Sequence, residues 1–187
     1  MPCGAIVYFD QETDAALRGL WQVIEDAGLP SAMLSLTYPP HLTLMMCDEL
    51  GMDGLGVDVK QFLADHPPLP VTFSGFGVFP GELGVVYMAV TPKRDLLDFH
   101  AALWDIARPH LQPGNSYYQP DTWVPHVTLG YDLDPALTGA AVTALARAHW
   151  PRQGLLRELV LAGFTIGSDG MGATSYTEVF KARLGSF

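Results

Sequence analysis

The sequence predicts an α+β protein with a duplicated, bilobal fold: two pseudo-symmetric lobes of mainly antiparallel sheet, flanked by helices, around a central cleft. Three observations support this prediction. Strand and helix patterns alternate along the chain, their order in the first half recurs in the second, and one unusual strand occurs twice. We expect residues 1–187 to form a single domain whose lobe repeats cover about 1–84 and 85–187.

The first half begins with a strand pattern and a helix pattern. Apolar residues recur at helical spacing in 13–27, and Gly28 ends that helix. A shorter helix is predicted at 57–65, where two prolines follow it. Apolar runs bounded by turn residues predict strands at 5–9, 33–36, 41–46, 71–79 and 84–90.

The second half repeats this order. Helices are predicted at 93–108 and 135–148, the latter with Asp134 as N-cap and Pro135 at its first position. Strands are predicted at 124–131, 155–166 and 174–183. The strand at 85–90 has no predicted lobe, because it can pair with either half.

Individual residues also repeat. His126 follows His41 by 85 positions, and Leu103-Trp104 follow Leu20-Trp21 by 83. Tyr176 follows Tyr87 by 89 positions. The small drift in spacing is what loop insertions produce, so we interpret the pattern as an internal duplication.

Composition restricts the partners and the compartment. The chain is 49% hydrophobic and 16% charged, has no apolar run of membrane-spanning length, and carries a net charge of −10. With ten basic residues against twenty acidic ones, we expect weak or no binding to long nucleic acid. Arg147, Arg152 and Arg157 form the densest basic cluster. Cys3 and Cys47 are expected to be free thiols, and the protein is expected to be a cytoplasmic monomer.

The repeated strand has an unusual pattern. "PHLTL" at 40–44 and "PHVTL" at 125–129 each place His and Thr two positions apart. Strand side chains alternate between faces, so His41 and Thr43 share one face and His126 and Thr128 share another. A two-fold relation between the lobes would bring those polar faces together across a cleft.

Two imidazoles and two hydroxyls suit phosphodiester cleavage. A neutral imidazole can accept a proton from the attacking oxygen while an imidazolium protonates the leaving oxygen. Threonine hydroxyls can hold the phosphate oxygens. A His-aliphatic-Thr-Leu string occurs by chance at roughly one position in ten thousand, so two unrelated copies are improbable. A duplicated structural motif is the alternative explanation.

These paired motifs resemble the signature of the two-histidine (2H) phosphoesterases, which include the 2′-5′ RNA ligase and cyclic phosphodiesterase group. The resemblance implies catalytic roles for His41 and His126 and phosphate binding by Thr43 and Thr128. It implies a substrate that is a small nucleotide or RNA end with a 2′,3′-cyclic phosphate, opened to a 2′-phosphate, with ATP-independent 2′-5′ ligation as the reverse type of reaction. Many ligase members have an arginine shortly after the second motif, where this chain has Gly130 and Tyr131.

Other residues and functions remain open at this point. Tyr38, Trp123 and Tyr131 flank the motifs and are candidates for stacking on a base, or for packing at the lobe edges. Neither metal-ligand spacing nor a nucleotide-binding glycine motif occurs, so we predict no metal and no cofactor. The alternatives are hydrolysis of linear 2′-5′ oligonucleotides, a non-catalytic phosphate-binding module, and a metal-binding protein.

Overall fold

Seven strands and four α-helices alternate in a computed structural model that describes residues 2–30, 33–35, 38–49, 51, 54–112, 116–166 and 173–185. The strands are β1 (Cys3–Phe9), β2 (His41–Cys47), β3 (Leu69–Phe79), β4 (Gly84–Val90), β5 (His126–Leu133), β6 (Gln153–Ile166) and β7 (Ala173–Arg183). The helices are α1 (Gln11–Asp26), α2 (Leu55–Ala64), α3 (Arg94–Ala107) and α4 (Pro135–Leu145).

Local signals set the ends of two helices. The Asp10 carboxylate accepts a hydrogen bond from the Thr13 backbone N–H at 3.0 Å and caps α1, and Gly28 follows that helix with a φ of 73°. Asp134 caps α4 as predicted, accepting from the backbone N–H groups of Ala136 and Leu137 at 2.8 Å each. α4 then ends at Leu145, three residues before the predicted end.

The strand predicted at 33–36 is wrong where the structure describes it. Met33–Ser35 form one turn of 3₁₀ helix, and Leu36 lies outside the described residues. Met33 is buried in the main core, and this turn packs against α1. A short apolar run does not distinguish a strand from a packed helical turn, because both bury the same side chains.

All strand pairings in the described chain are antiparallel, and the strand order is β2-β1-β6-β3-β4-β5, with β7 on the other edge of β6. This order reads symmetrically from its centre, because β2, β1 and β6 correspond to β5, β4 and β3. Where β3 meets β6, Leu69 pairs with Leu156 and Thr72 pairs with Gln153. Leu69 and Gln153 are 84 positions apart, and so are Thr72 and Leu156. The pair Thr72–Gln153 is therefore the symmetry copy of the pair Leu69–Leu156, as a pseudo-two-fold axis requires.

The two lobes of the sheet do not coincide with the two sequence repeats. One lobe, here called the His41 lobe, contains β2, β1, β6 and β7, and the other, the His126 lobe, contains β5, β4 and β3. Each lobe thus draws strands from both halves of the chain. β4, whose lobe the sequence left open, pairs with β3 and with β5. The repeat boundary near residue 84 remains a prediction about the sequence.

The two faces of the sheet in the His41 lobe bury different sets of residues. The main core lies on one face and includes Leu42 and Leu44 together with buried side chains of all four helices. On the opposite face, Ile6 and Tyr8 pack with Val160, Ala162 and Phe164 in a smaller cluster. Ile6 is directly opposite Thr43 and Tyr8 directly opposite His41, so the motif side chains lie beside this smaller cluster.

The two cysteines lie at the end of the β1–β2 pair. Cys3 and Cys47 are directly opposite each other, both are buried, and their Sγ atoms are 3.1 Å apart. Both are free thiols in this structure. Burial raises the pKa of both thiols, so each stays protonated at neutral pH.

Candidate active site

The motif strands β2 and β5 stand at opposite ends of the strand order, yet they contact each other. The sheet therefore brings its two ends together, and His41 and His126 are close enough for their charges to interact. On each strand the aliphatic residues are buried in the core, and the histidine and threonine are half-buried on the other face. The sequence predicted this alternation for both strands.

Backbone carbonyls orient both imidazoles in the same way. His41 Nδ1 lies 3.0 Å from the carbonyl oxygen of Pro39, and His126 Nδ1 lies 2.7 Å from that of Val124. A carbonyl oxygen only accepts, so we infer that Nδ1 carries the proton and donates it in each ring. Nε2 is then the ring nitrogen that has an open lone pair and can accept a proton.

Burial lowers the pKa of both histidines below the usual value of 6.5. The pKa of His41 falls to about 4, because the positive charge of a protonated His126 adds to the effect of burial. The Pro39 and Val124 carbonyls oppose this by favouring the protonated rings. In the unliganded protein at neutral pH, both rings are mainly neutral.

The two threonines complete the site. Thr43 and Thr128 are half-buried and follow their histidines on the same face of each strand. The hydrogen bonds of the described residues leave both hydroxyls without a protein partner. Two hydroxyl donors therefore remain available to an anionic group held between the strands.

Tyrosines and charged residues form the wall beside His41. The ring of Tyr38 meets the His41 imidazole edge-on at 5.4 Å and meets the ring of Tyr176 at 5.0 Å. The Tyr8 hydroxyl lies 2.9 Å from the Tyr176 hydroxyl, and both donate to the carboxylate of Glu178. Burial raises the pKa of Tyr8, so its hydroxyl remains protonated at neutral pH.

Charged pairs continue this wall away from the site. Lys181 Nζ lies 3.1 Å from a carboxylate oxygen of Glu158 and 3.6 Å from one of Glu178. Arg183 also pairs with Glu158, at 3.7 Å. Two acids and two bases balance, so the polar wall of the His41 lobe adds no net charge to the cleft.

The wall beside His126 is aromatic. Phe79 meets the imidazole edge-on at 4.9 Å, and Tyr87 lies 5.4 Å from it. The rings of Phe79 and Tyr87 stack on each other at 4.3 Å. Gly77 makes this possible, because a Cβ at that position would run into the Tyr87 ring.

Two of the three residues predicted to stack on a base are buried. Trp123 is 8% exposed and its ring stacks on that of His100 at 3.9 Å. Tyr38 is 7% exposed between His41 and Tyr176. Both rings pack against neighbouring aromatic rings of the protein, and their role in base stacking remains a prediction. Tyr131 is half-buried, and its role in stacking remains a prediction.

Sequence reasoning missed Phe79, Tyr87, Tyr8 and Tyr176 as neighbours of the site. The alignment of Tyr87 with Tyr176 in the sequence repeat is wrong, because Tyr87 lies on β4, which corresponds to β1, and Tyr176 lies on β7, which has no counterpart among the described strands. They lie in the walls of the two motif histidines, Tyr87 against His126 and Tyr176 one ring away from His41.

Three further features concern the basic cluster, metal ligands and membrane-spanning helices. Arg147 is exposed in the turn after α4, Arg157 is exposed on β6, and Arg152 packs over the Trp150 ring at 3.9 Å. Within the described ranges, no group of three or more His, Cys, Asp or Glu side chains is placed to hold a metal ion. Of the helices described, none has the length and apolarity to cross a membrane.

Comparisons with known proteins agree with this geometry. The family model described as the 2′-5′ RNA ligase superfamily matches residues 11–163. A Geobacillus kaustophilus protein, whose name marks its phosphoesterase activity as inferred, is 28% identical over 102 residues. That alignment covers 52% of this chain and 54% of the relative, so the chain matches about half the length of this curated relative.

Solved structures share the fold over the whole chain. TT0787 of Thermus thermophilus has a TM-score of 0.62 at 19% identity, covering 99% of this chain and 98% of that one. E. coli LigT complexed with 3′-AMP has a TM-score of 0.61 at 14% identity, covering 98% and 97%. Usb1 of Kluyveromyces marxianus is more distant, with a TM-score of 0.53 at 11% identity and coverages of 95% and 97%.

Proposed function

The chain belongs to the 2′-5′ RNA ligase superfamily, and we propose that it is a metal-independent phosphodiesterase that opens 2′,3′-cyclic phosphates of nucleotides or RNA ends to 2′-phosphates. One observation carries the proposal. Two imidazoles, each with Nδ1 held by a backbone carbonyl, lie on contacting strands beside two threonine hydroxyls that form no hydrogen bond within the described part of the chain. This set supplies a base, an acid and two donors for a phosphate.

The surroundings of the two histidines suggest how they divide the proton transfers. Burial lowers the pKa of His41 to about 4, so its neutral Nε2 accepts a proton from the attacking water. We give His126 the other role, in which the protonated ring donates a proton from Nε2 to the leaving oxygen. Water attacks phosphorus, the bond from phosphorus to the ribose 3′-oxygen breaks, and that oxygen takes the proton from His126. The product keeps its phosphate on the 2′-oxygen.

Substrate binding itself promotes the protonated form of His126. A phosphate anion in the cleft favours the imidazolium, which raises the pKa of a nearby histidine. The kcat profile, which reports the bound enzyme, should then lie at higher pH than the kcat/KM profile, which reports the free enzyme. Thr43 and Thr128 donate to the two non-bridging oxygens, where negative charge builds as water adds.

The same site supports 2′-5′ ligation as the reverse type of chemistry. A 5′-hydroxyl in place of water would attack the cyclic phosphate, and loss of the 3′-oxygen would leave a 2′-5′ linkage. No ATP is needed, because the cyclic phosphate already carries the leaving group. The solved structures of LigT with 3′-AMP and with NADP⁺ show that this related fold takes small nucleotides, which supports the same size of ligand here.

Charge favours small substrates over long RNA. The chain carries −10, and Gly130 and Tyr131 stand where many ligases have an arginine. A protein that grips six or more RNA phosphates loses about a thousandfold in affinity between about 50 and 200 mM salt. A site holding one or two phosphates through His41, Thr43, His126 and Thr128 should show a much shallower dependence.

The test compares kcat/KM for a 2′,3′-cyclic mononucleotide and for an oligonucleotide ending in a cyclic phosphate, at both salt concentrations, with a linear 2′-5′ dinucleotide as a third substrate. We expect similar kcat/KM for the two cyclic substrates, weak salt dependence, a 2′-phosphate product, and activity that survives EDTA. Preference for the dinucleotide would replace the proposal with 2′-5′ hydrolysis. Binding without turnover would leave a phosphate-binding module, and EDTA-sensitive activity restored by zinc would indicate a metal enzyme.

A further inference from the structure

The two motif strands are edge strands, so each exposes a row of backbone groups to something other than a sheet neighbour. Among the described strands, β2 pairs only with β1 and β5 only with β4. Buried carbonyls need donors, and an edge strand without them is free to shift. The donors that meet these two edges therefore influence where the histidines and threonines stand.

An indole N–H meets the carbonyl of each motif threonine. Trp123 Nε1 donates to the backbone oxygen of Thr43 at 3.0 Å. Trp21 Nε1 donates to the backbone oxygen of Thr128 at 3.1 Å. Trp21 comes from α1 in the first half of the chain and Trp123 from the second half, so each bond ties one half of the chain to the motif of the other.

Both indoles are held rigidly. Trp21 is 1% exposed within the main core. Trp123 stacks on His100, whose Nε2 lies 2.8 Å from the carbonyl oxygen of Leu44. Trp123 lies three residues before His126. Its bond to Thr43 therefore joins the segment that leads into β5 directly to β2.

We propose that Trp21 and Trp123 are positioning residues that set the separation of the two half-sites, His41 with Thr43 and His126 with Thr128. The two indole bonds form a reciprocal latch, one joining α1 to β5 and the other joining the segment before β5 to β2. In-line displacement at phosphorus requires base and acid on opposite sides of one phosphate, and a misplacement of about 1 Å costs about a hundredfold in rate. The catalytic part of this proposal rests on the function proposed above.

Trp104 provides a matched control. It corresponds to Trp21 in the repeat, is 4% exposed, and donates its indole N–H to the carbonyl of Leu44 at 3.1 Å. The carbonyl oxygen of Leu44 keeps a second partner in His100, and the bond involves no motif threonine. Trp104→Phe therefore removes a buried indole bond of the same kind without releasing the latch.

The experiment compares Trp21→Phe, Trp123→Phe and Trp104→Phe, which keep an aromatic ring and remove the N–H. We expect the two latch variants to lower kcat about ten- to a hundredfold with KM changed less than about threefold, because threonine and histidine are present but misplaced. Trp104→Phe should lower the melting temperature by a similar amount and keep kcat within about threefold of the unchanged protein. An equal loss of kcat in Trp104→Phe would overturn the proposal.

A second readout does not depend on substrate. Histidine ring NMR titrations in the three variants report the burial of His41 and His126 directly. Releasing the latch admits water to the cleft, so both pKa values should rise toward 6.5 in the latch variants and stay unchanged in Trp104→Phe. If the unchanged protein opens no cyclic phosphate, the proposed function fails while the latch is still judged by these titrations.

A third variant separates loss of the hydrogen bond from failure to fold. Should Trp123→Phe fail to fold, a benzothiophene analogue of tryptophan at position 123 keeps the shape of the indole and lacks only the N–H. If that variant has wild-type kcat and unchanged histidine pKa values, the hydrogen bond does not determine the separation of the half-sites. The latch would then be rejected.

Discussion

The side chains around His41 and His126 differ, although both imidazoles make the same hydrogen bond to the backbone. Each imidazole donates Nδ1–H to the carbonyl two residues earlier, and each precedes its threonine by two positions. Beside His41 stand Tyr38 and a hydrogen-bonded tyrosine–glutamate wall, whereas beside His126 stands a stacked aromatic pair. The two motifs are thus alike in their own residues and differ in the walls beside them.

The origin of the difference is one strand. β7 lies against β6 in the His41 lobe and brings Tyr176 and Glu178 to that wall, while in the described chain the corresponding edge of the His126 lobe carries no such strand. Burial lowers the pKa of both histidines, whichever wall they stand beside.

The largest expected effect comes from removing either imidazole. His41→Ala and His126→Ala should each lower kcat about a hundredfold or more, the scale of general acid–base catalysis. A phosphodiester with a nitrophenol leaving group needs little help from an acid, so it should restore much of the lost rate to His126→Ala and none to His41→Ala. The measurement is kcat for both substrates in both variants, and equal rescue would refute the separate roles.

A smaller effect is expected from the threonines, for which the two half-sites should behave alike. Thr43→Val and Thr128→Val keep the shape of the side chain and remove a donor to a charged oxygen, a loss of about 1.5–3 kcal/mol. We expect kcat/KM to fall about ten- to a hundredfold in each. Should only one substitution reduce kcat/KM, phosphate binding would belong to a single lobe.

The smallest expected effect concerns the aromatic wall. Gly77→Ala should displace the Tyr87 ring, admit water to His126 and raise the pKa of that histidine toward 6.5. The alkaline limb of the kcat/KM profile, where His126 loses its proton, should then move upward by about half a unit or less, while the acidic limb stays in place. Gly139→Ala is the control, because a Cβ there meets nothing within 4 Å. A shift of the acidic limb instead would reverse the roles.

Much of this site could be predicted from sequence because the relevant signals are local. Alternation along a strand places His41 with Thr43 and His126 with Thr128, and the duplication predicts that the two pairs face one cleft. The strands begin and end within a few residues of their predicted positions, and Asp134 caps its helix as expected.

The rest depends on contacts between distant residues. The alternation of polar and apolar residues predicts which face of a strand a side chain lies on. It does not predict which strand is the neighbour, so the pairing of β6 with β1 could not be predicted. The same holds for Trp123, whose partner is the carbonyl of Thr43, 80 positions away. An aromatic residue near a motif suggested base stacking, and tertiary packing places that residue in the interior.

The most direct test of unequal histidines is an NMR titration of their ring signals in the free protein, assigned with His41→Gln and His126→Gln. We predict that His41 titrates near pH 4 and that burial also keeps the pKa of His126 below 6.5. We further predict that His126→Gln raises the pKa of His41, because the positive neighbour is gone. The assignment of base and acid would be contradicted if the pKa of His41 equals or exceeds that of His126. It would also be contradicted if the pKa of His41 does not change in His126→Gln.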